Sequence, residues 1–295
     1  MLFEQDSLNS SLALQGRGHL SKMRAELGSV SASLAQETSC QYWLRLDQDE
    51  IHLNPLIGQP IKLVYQGKIH CQHCGRASSK SFAQGYCYPC FKKLPQCDSC
   101  IVSPEKCHFD QGTCRDSDWG QRFCMSEHIV YLANSSGVKV GITRANQIPT
   151  RWIDQGAIQA LPIFRVDSRY RSGLVEVLYK QHVADKTNWR TMLKGAQPPV
   201  DLIAVRNQLF ECCGHQIGAL HQQYGIQSVQ QIEDAIVTDL HFPVITYPIK
   251  VSSLNFDKTE VVEGVLQGIK GQYLILDTGV INLRKFTAYQ VEFFA

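Results

Sequence analysis

Nine of the chain's twelve cysteines fall between Cys71 and Cys124, and six of these form three C-x2-C pairs. The order is Cys71-x2-Cys74, twelve residues, Cys87-x2-Cys90, six residues, then Cys97-x2-Cys100. Cys107-His108, Cys114, Cys124 and His128 follow. A C-x2-C pair is a tight turn that aims two thiolates at one spot, half of a tetrahedral Zn²⁺ shell, and two pairs close it. Cys71, Cys74, Cys87 and Cys90 are therefore expected to hold a zinc ion. With four protein thiolates and no open position the ion is structural, and its binding energy becomes folding energy for a block too short to build a core. An iron–sulfur cluster is a poorer match to evenly paired knuckles.

A second zinc is also expected. Its simplest quartet is Cys97, Cys100, Cys107 and Cys114, with His108 able to replace Cys107 and Cys124 in reserve. Interleaved pairing, Cys71/Cys74 with Cys97/Cys100 and Cys87/Cys90 with the later cysteines, is equally consistent with the spacing. Cys212-Cys213-x-His215 lies in a helical pattern and reads as core packing. Cys40 stands alone.

Other properties bound the rest. The chain has 295 residues, 44% hydrophobic and 19% charged, enough for two or three domains with real cores. The net charge of +2 excludes a polybasic binder as a whole, but residues 121–194 carry 11 Lys and Arg against 5 Asp and Glu. The first residues show no basic start followed by an apolar run, and no apolar stretch reaches spanning length. A soluble, cytoplasmic protein is expected, in a compartment where cysteines stay reduced and available to metal.

The pattern predicts an α+β multidomain chain. Residues 1–68 read as a partly β N-terminal segment, with a short helix near His19–Leu34 and strands at Cys40–Leu46 and Pro60–Ile69. Residues 69–125 are the zinc module and 126–195 an α/β domain. The latter opens on a hairpin, "HIVYLANSSGVKVGITR", and continues with a helix around Thr150–Gln155 and a strand at "LPIFRV". A helix from Gly173 to about Ala184, capped by Ser172, closes it. Residues 196–239 read as helical, with apolar spacing from Leu202 to Ile217 and a second helix over Val229–Ile236. Residues 240–295 alternate like the strands of a small antiparallel barrel or sandwich, and the segment "LIGQPIKLVYQG" near Leu56, which echoes "GIKGQYLILDTG", is expected to pair with it.

The 126–195 domain carries chemistry-bearing residues in a telling order: "IVY" at Ile129–Tyr131, "KVG" at Lys139–Gly141, Arg151 opening a helix, Glu176 on the next helix, then Asn188. This order resembles the GIY-YIG nuclease family over roughly residues 128–190. Ile129 stands where the family has glycine, Lys139 where it has the second tyrosine, and Gln155 where many members have histidine or tyrosine. The resemblance implies a divalent-metal-dependent endonuclease. In it Glu176 would hold Mg²⁺ or Mn²⁺, and Tyr131, its pKa lowered by Lys139, would take a proton from water. Arg151 would stabilise charge on the phosphorane, and Asn188 would orient the glutamate or the backbone.

Beyond that domain, the cysteine block, the hairpin and "GIKGQYLILDTGVINLRK" together resemble, over nearly the whole chain, a bacterial family catalogued as a domain of unknown function. Three functions follow as expectations: nucleic-acid processing by the nuclease-like domain, non-catalytic nucleic-acid binding, or a zinc-module adaptor for proteins. Tyr88, Phe91, Lys92, Lys93 and Arg115 offer a nucleic acid both stacking and charge.

Overall fold

The computed structural model describes residues 12–28, 39–195 and 197–295. In chain order the strands and helices begin with β1 Leu14–His19, β2 Arg24–Leu27, β3 Cys40–Leu46, β4 Asp49–His52, β5 Pro60–Ile69 and α1 Tyr88–Lys93. A series of single 3₁₀ turns carries the later cysteines to α2 Ser117–Phe123. There follow β6 His128–Asn134, β7 Val138–Arg144, α3 Thr150–Asp154, β8 Gln159–Val166, α4 Arg169–Tyr179 and α5 Trp189–Met192. The last elements are α6 Leu202–Cys212, α7 Gly214–Tyr224, β9 Val229–Gln231, β10 Thr238–Asp239, β11 Val261–Lys270, β12 Tyr273–Leu276, β13 Gly279–Asn282 and β14 Tyr289–Phe294. Among the described residues no helix is long and apolar enough to cross a membrane.

The chain divides into two compact units. The first draws on Met1–Ala25, Gln41–Tyr88 and Phe242–Ala295. Its six-stranded antiparallel sheet runs β1-β14-β5-β11-β12-β13, so Pro60–Ile69 does pair with the C-terminal strands, lying between β14 and β11. Alternation explains the register: Ile61 and Leu63 of β5, and Val291 and Phe293 of β14, point inward while their neighbours are more exposed. The sheet path runs from β1 to β13 with no pairing between these two among the described residues, so the closure of a barrel is not seen. Gly271, at φ +62, makes the two-residue turn from β11 to β12 that a side chain would strain. Next to it the buried Gln272 acts as a stand-in backbone, accepting from Met23 N at 2.8 Å and donating to Met23 O at 3.2 Å.

The second unit spans Glu26–Cys40 and Pro89–His241. Its sheet runs β10-β8-β6-β7, with β9 also on β8. The central β6 is buried at every residue. One face, with Val130, Leu132 and Val140, joins Val175 and Tyr179 of α4 and Leu209 and Ile217 of α6 and α7 in a single core. Tyr131 and its cross-strand partner Gly141 alternate with those residues and so belong to the opposite face.

Three expected elements differ. The helix near His19–Leu34 is not formed over residues 19–28, where β2 lies; residues 29–34 are outside the described chain. "KMRAEL" has helical composition, but Arg24 lies 3.5 Å over the Trp43 ring and 2.8 Å from Glu50, and tertiary pairing overrides propensity. The α4 cap is Ser168, whose Oγ accepts from Arg171 N, whereas Ser172 is buried inside the helix and donates to Arg169 O. Residues 229–231 are the strand β9 rather than a helix, because β8 offers them an antiparallel edge.

Candidate metal centre and hairpin site

The strand β5 runs directly into the first cysteine turn. Gly75, at φ +69, closes that turn by donating its N–H to Cys71 O at 2.8 Å. The second pair follows a small ring in which Phe82 and Tyr86 exchange backbone hydrogen bonds of 2.8 and 2.9 Å, and Gly85 O accepts from Gln72 N at 2.8 Å to hold the two turns together. The four sulfurs of Cys71, Cys74, Cys87 and Cys90 lie within 4.8 Å of one another. A tetrahedral Zn–S shell of about 2.3 Å places its sulfurs about 3.8 Å apart, and Cys74 and Cys87 are 3.7 Å apart. Burial of the Cys71 thiol opposes ionisation, but backbone N–H groups of Cys74, Cys87 and His73 converge on its sulfur and bring it down to about 6. The quartet is thus built for thiolates and is compatible with a structural zinc.

The later cysteines are arranged differently from their spacing in sequence. Cys100, Cys107 and Cys114 border one small cavity, where Cys124 joins them; Cys97 is buried outside its lining. His128 is fully buried on β6, with Nδ1 2.7 Å from Ser126 O, and burial pushes its pKa down to about 4. His182, Cys212 and Cys213 form a further group within 4.8 Å of one another, with the two thiols 3.6 Å apart at the end of α6.

Four of the five hairpin-domain candidates gather on one patch. Tyr131 is fully buried, and its hydroxyl donates to Gln155 Oε1 at 2.8 Å. Burial raises its pKa, with Arg151 pulling the other way as a charge and as a hydrogen-bonding group. Lys139 is 3% exposed; burial and the neighbouring Arg151 push it down to about 8 against the pull of Glu176 and Asp185. Burial, then the nearby Asp185, raise the Glu176 carboxyl, which Lys180 and Arg169 partly offset. Asn188 serves elsewhere: it caps α5, its Oδ1 accepting from Thr191 N at 3.2 Å. Gly141 has a steric cause, since a Cβ there would sit 2.8 Å from both Cζ and the hydroxyl of Tyr131.

A further polar group in the first unit has no local signature in the sequence. Asp47 Oδ1 lies 2.9 Å from His19 Nδ1, and His19 Nε2 lies 2.8 Å from His70 Nδ1. The chain borders a cavity of about 660 Å³ that Cys71 also lines. Only the pairing of strands brings residues 19, 47 and 70 together; the adjacency of His70 to Cys71 was the one visible hint.

Neither a curated protein nor a solved structure matches the chain. One family model matches residues 58–291, from the turn before β5 into β14, and so takes in the thiolate quartet and the hairpin alike. The chain belongs to the family described as protein of unknown function DUF2797.

Proposed function

We propose that the protein is a zinc-dependent nucleic-acid-binding protein whose hairpin domain is a scaffold without turnover. The observation that carries this reading is the charge of the chain around the quartet. Residues 51–97 include Lys62, Lys68, Arg76, Lys80, Lys92 and Lys93 but no Asp or Glu. Five of these six cations are exposed, Lys62 being half-buried, and α1 presents the 55%-exposed Tyr88 with Lys92 and Lys93 in its last turn. Exposed cations beside an aromatic face suit a phosphate backbone and a stacked base.

Against catalysis stands burial. A general base must reach the water it activates, and Tyr131 reaches only protein groups, its proton committed to Gln155. Positive charge is also already near Glu176: Lys139 feels its carboxylate, and Lys180 and Arg169 act on it. The second reading, a divalent-metal-dependent nuclease, is favoured by the gathering of Tyr131, Arg151 and Glu176.

One experiment separates them. Zinc-loaded protein and Glu176→Ala are incubated with labelled single-stranded, duplex and branched DNA and structured RNA, with and without Mg²⁺ or Mn²⁺. Binding that weakens steeply with salt, without cleavage and unchanged in the variant, is the expected result. Metal-dependent cleavage lost in Glu176→Ala would establish the second reading. Absence of binding would sink both.

A further inference from the structure

We propose that the protein holds a second four-thiolate metal centre, formed by Cys100, Cys107, Cys114 and Cys124. These four residues border one cavity of about 10 Å³, roughly the room that one water or one ion takes. Their mutual nearness is also electrostatic: Cys100 feels Cys107 and Cys124, and Cys124 feels Cys107 and Cys114. The site lies within the second unit and does not depend on the nucleic-acid reading.

The polar neighbours are already spoken for. His108 and Asp98 come within 4.8 Å of the Cys100 sulfur. Yet His108 Nδ1 is 2.7 Å from Thr113 Oγ1, its Nε2 is 3.5 Å from Asp98, and Asp98 takes Arg115 at 2.7 Å. They line the same cavity as the thiols, held by this hydrogen bond and these ion pairs. A glycine makes space for one ligand: a Cβ on Gly120 would lie 3.2 Å from the Cys114 sulfur and under 3.0 Å from the Phe109 ring.

The surrounding charge fits an anionic centre. Each thiol releases one proton to solvent on binding, and a divalent ion with four thiolates carries net charge −2. Burial, and at Cys100 the Asp98 carboxylate, oppose ionisation of these thiols, while Arg169 favours it at both Cys100 and Cys124 and Arg144 at Cys124. Arg169 bridges the two ligand segments, donating Nη2 to Ile101 O and its backbone N–H to Cys124 O at 2.7 Å. Its Nε–H is buried without a hydrogen-bond partner. A metal-bound thiolate is an acceptor that a buried guanidinium N–H otherwise lacks.

The test counts metal in the full-length protein grown with zinc, by elemental mass spectrometry, and reads cobalt-substituted protein by its tetrahedral thiolate absorption. Wild type is expected to hold two ions per chain. Cys124→Ser and Cys71→Ser should each hold one, while Cys97→Ser and His108→Ala keep two. Cys124→His should keep two with an altered cobalt spectrum, which separates loss of a ligand from loss of folding. One ion in wild type overturns the proposal, as does loss of an ion in Cys97→Ser or His108→Ala with both retained in Cys124→Ser.

Discussion

At the scale of single residues, the hairpin shows how one side chain can fix the identity of its neighbour across a sheet. Tyr131 and Gly141 are directly paired, and the tyrosine ring fills the space that a Cβ at 141 would need. Gly141→Ala should cost about 1–3 kcal/mol, the usual range for overpacking a tight interior. Urea unfolding reads this, and the cost should shrink in a Tyr131→Leu background, where the space reopens. An equal cost in both backgrounds would mean that the clash is not the cause. The tyrosine and the glycine stand out in the sequence, but their link does not. The order of residues pointed to Tyr131 as a base and to Gly141 only as part of "KVG", and packing against the tyrosine accounts for the glycine with no reaction at all. His19, Asp47 and His70 went unseen for the opposite reason, since nothing local marks residues that meet only through strand pairing.

Elements were most legible where one face is buried and the period is simple. Cys40–Leu46 alternates throughout and Pro60–Ile69 over its first half, and both form strands at those bounds. Residues 24–27 and 229–231 misled, because they pair with neighbouring strands as β2 and β9 instead of forming helices. For α4 the start was misplaced by several residues, and the structure shows what Gly173 does there. A Cβ at that position would lie 2.6 Å from Glu105 N and 2.7 Å from Pro104 Cβ, so the helix rests directly on the 3₁₀ turn Pro104–Lys106 of the cysteine block. Intrinsic propensity favours alanine over glycine in a helix by about 1 kcal/mol. Since backbone atoms cannot yield as a flexible side chain can, Gly173→Ala should nonetheless destabilise the protein, with a lowered urea midpoint. A raised midpoint would show that the turn moves aside and that propensity wins.

At the scale of the molecule, the first unit is discontinuous: the chain leaves after Tyr88 and returns at Phe242 to complete the sheet. β5 then has both neighbours, β14 and β11, supplied from more than 190 residues later in the chain. Such long-range pairing is invisible to local periodicity, and it closes a costly loop before any contact repays it. The first thiolate pair follows the end of β5, with Cys71 two residues beyond Ile69, so it is aimed by a strand that β14 and β11 hold. Ending the chain at residue 260 removes both partners of β5, and the metal content should report the consequence. The truncated protein is expected to lose the ion at Cys71, Cys74, Cys87 and Cys90 while keeping the one at Cys100, Cys107, Cys114 and Cys124, whose ligands all lie in the second unit. Elemental analysis combined with Cys124→Ser tells the two ions apart: the truncated variant should then hold none. Retention of a tight ion at the first quartet after truncation would mean that the two cysteine turns fold around zinc without the sheet, as self-sufficient knuckles do.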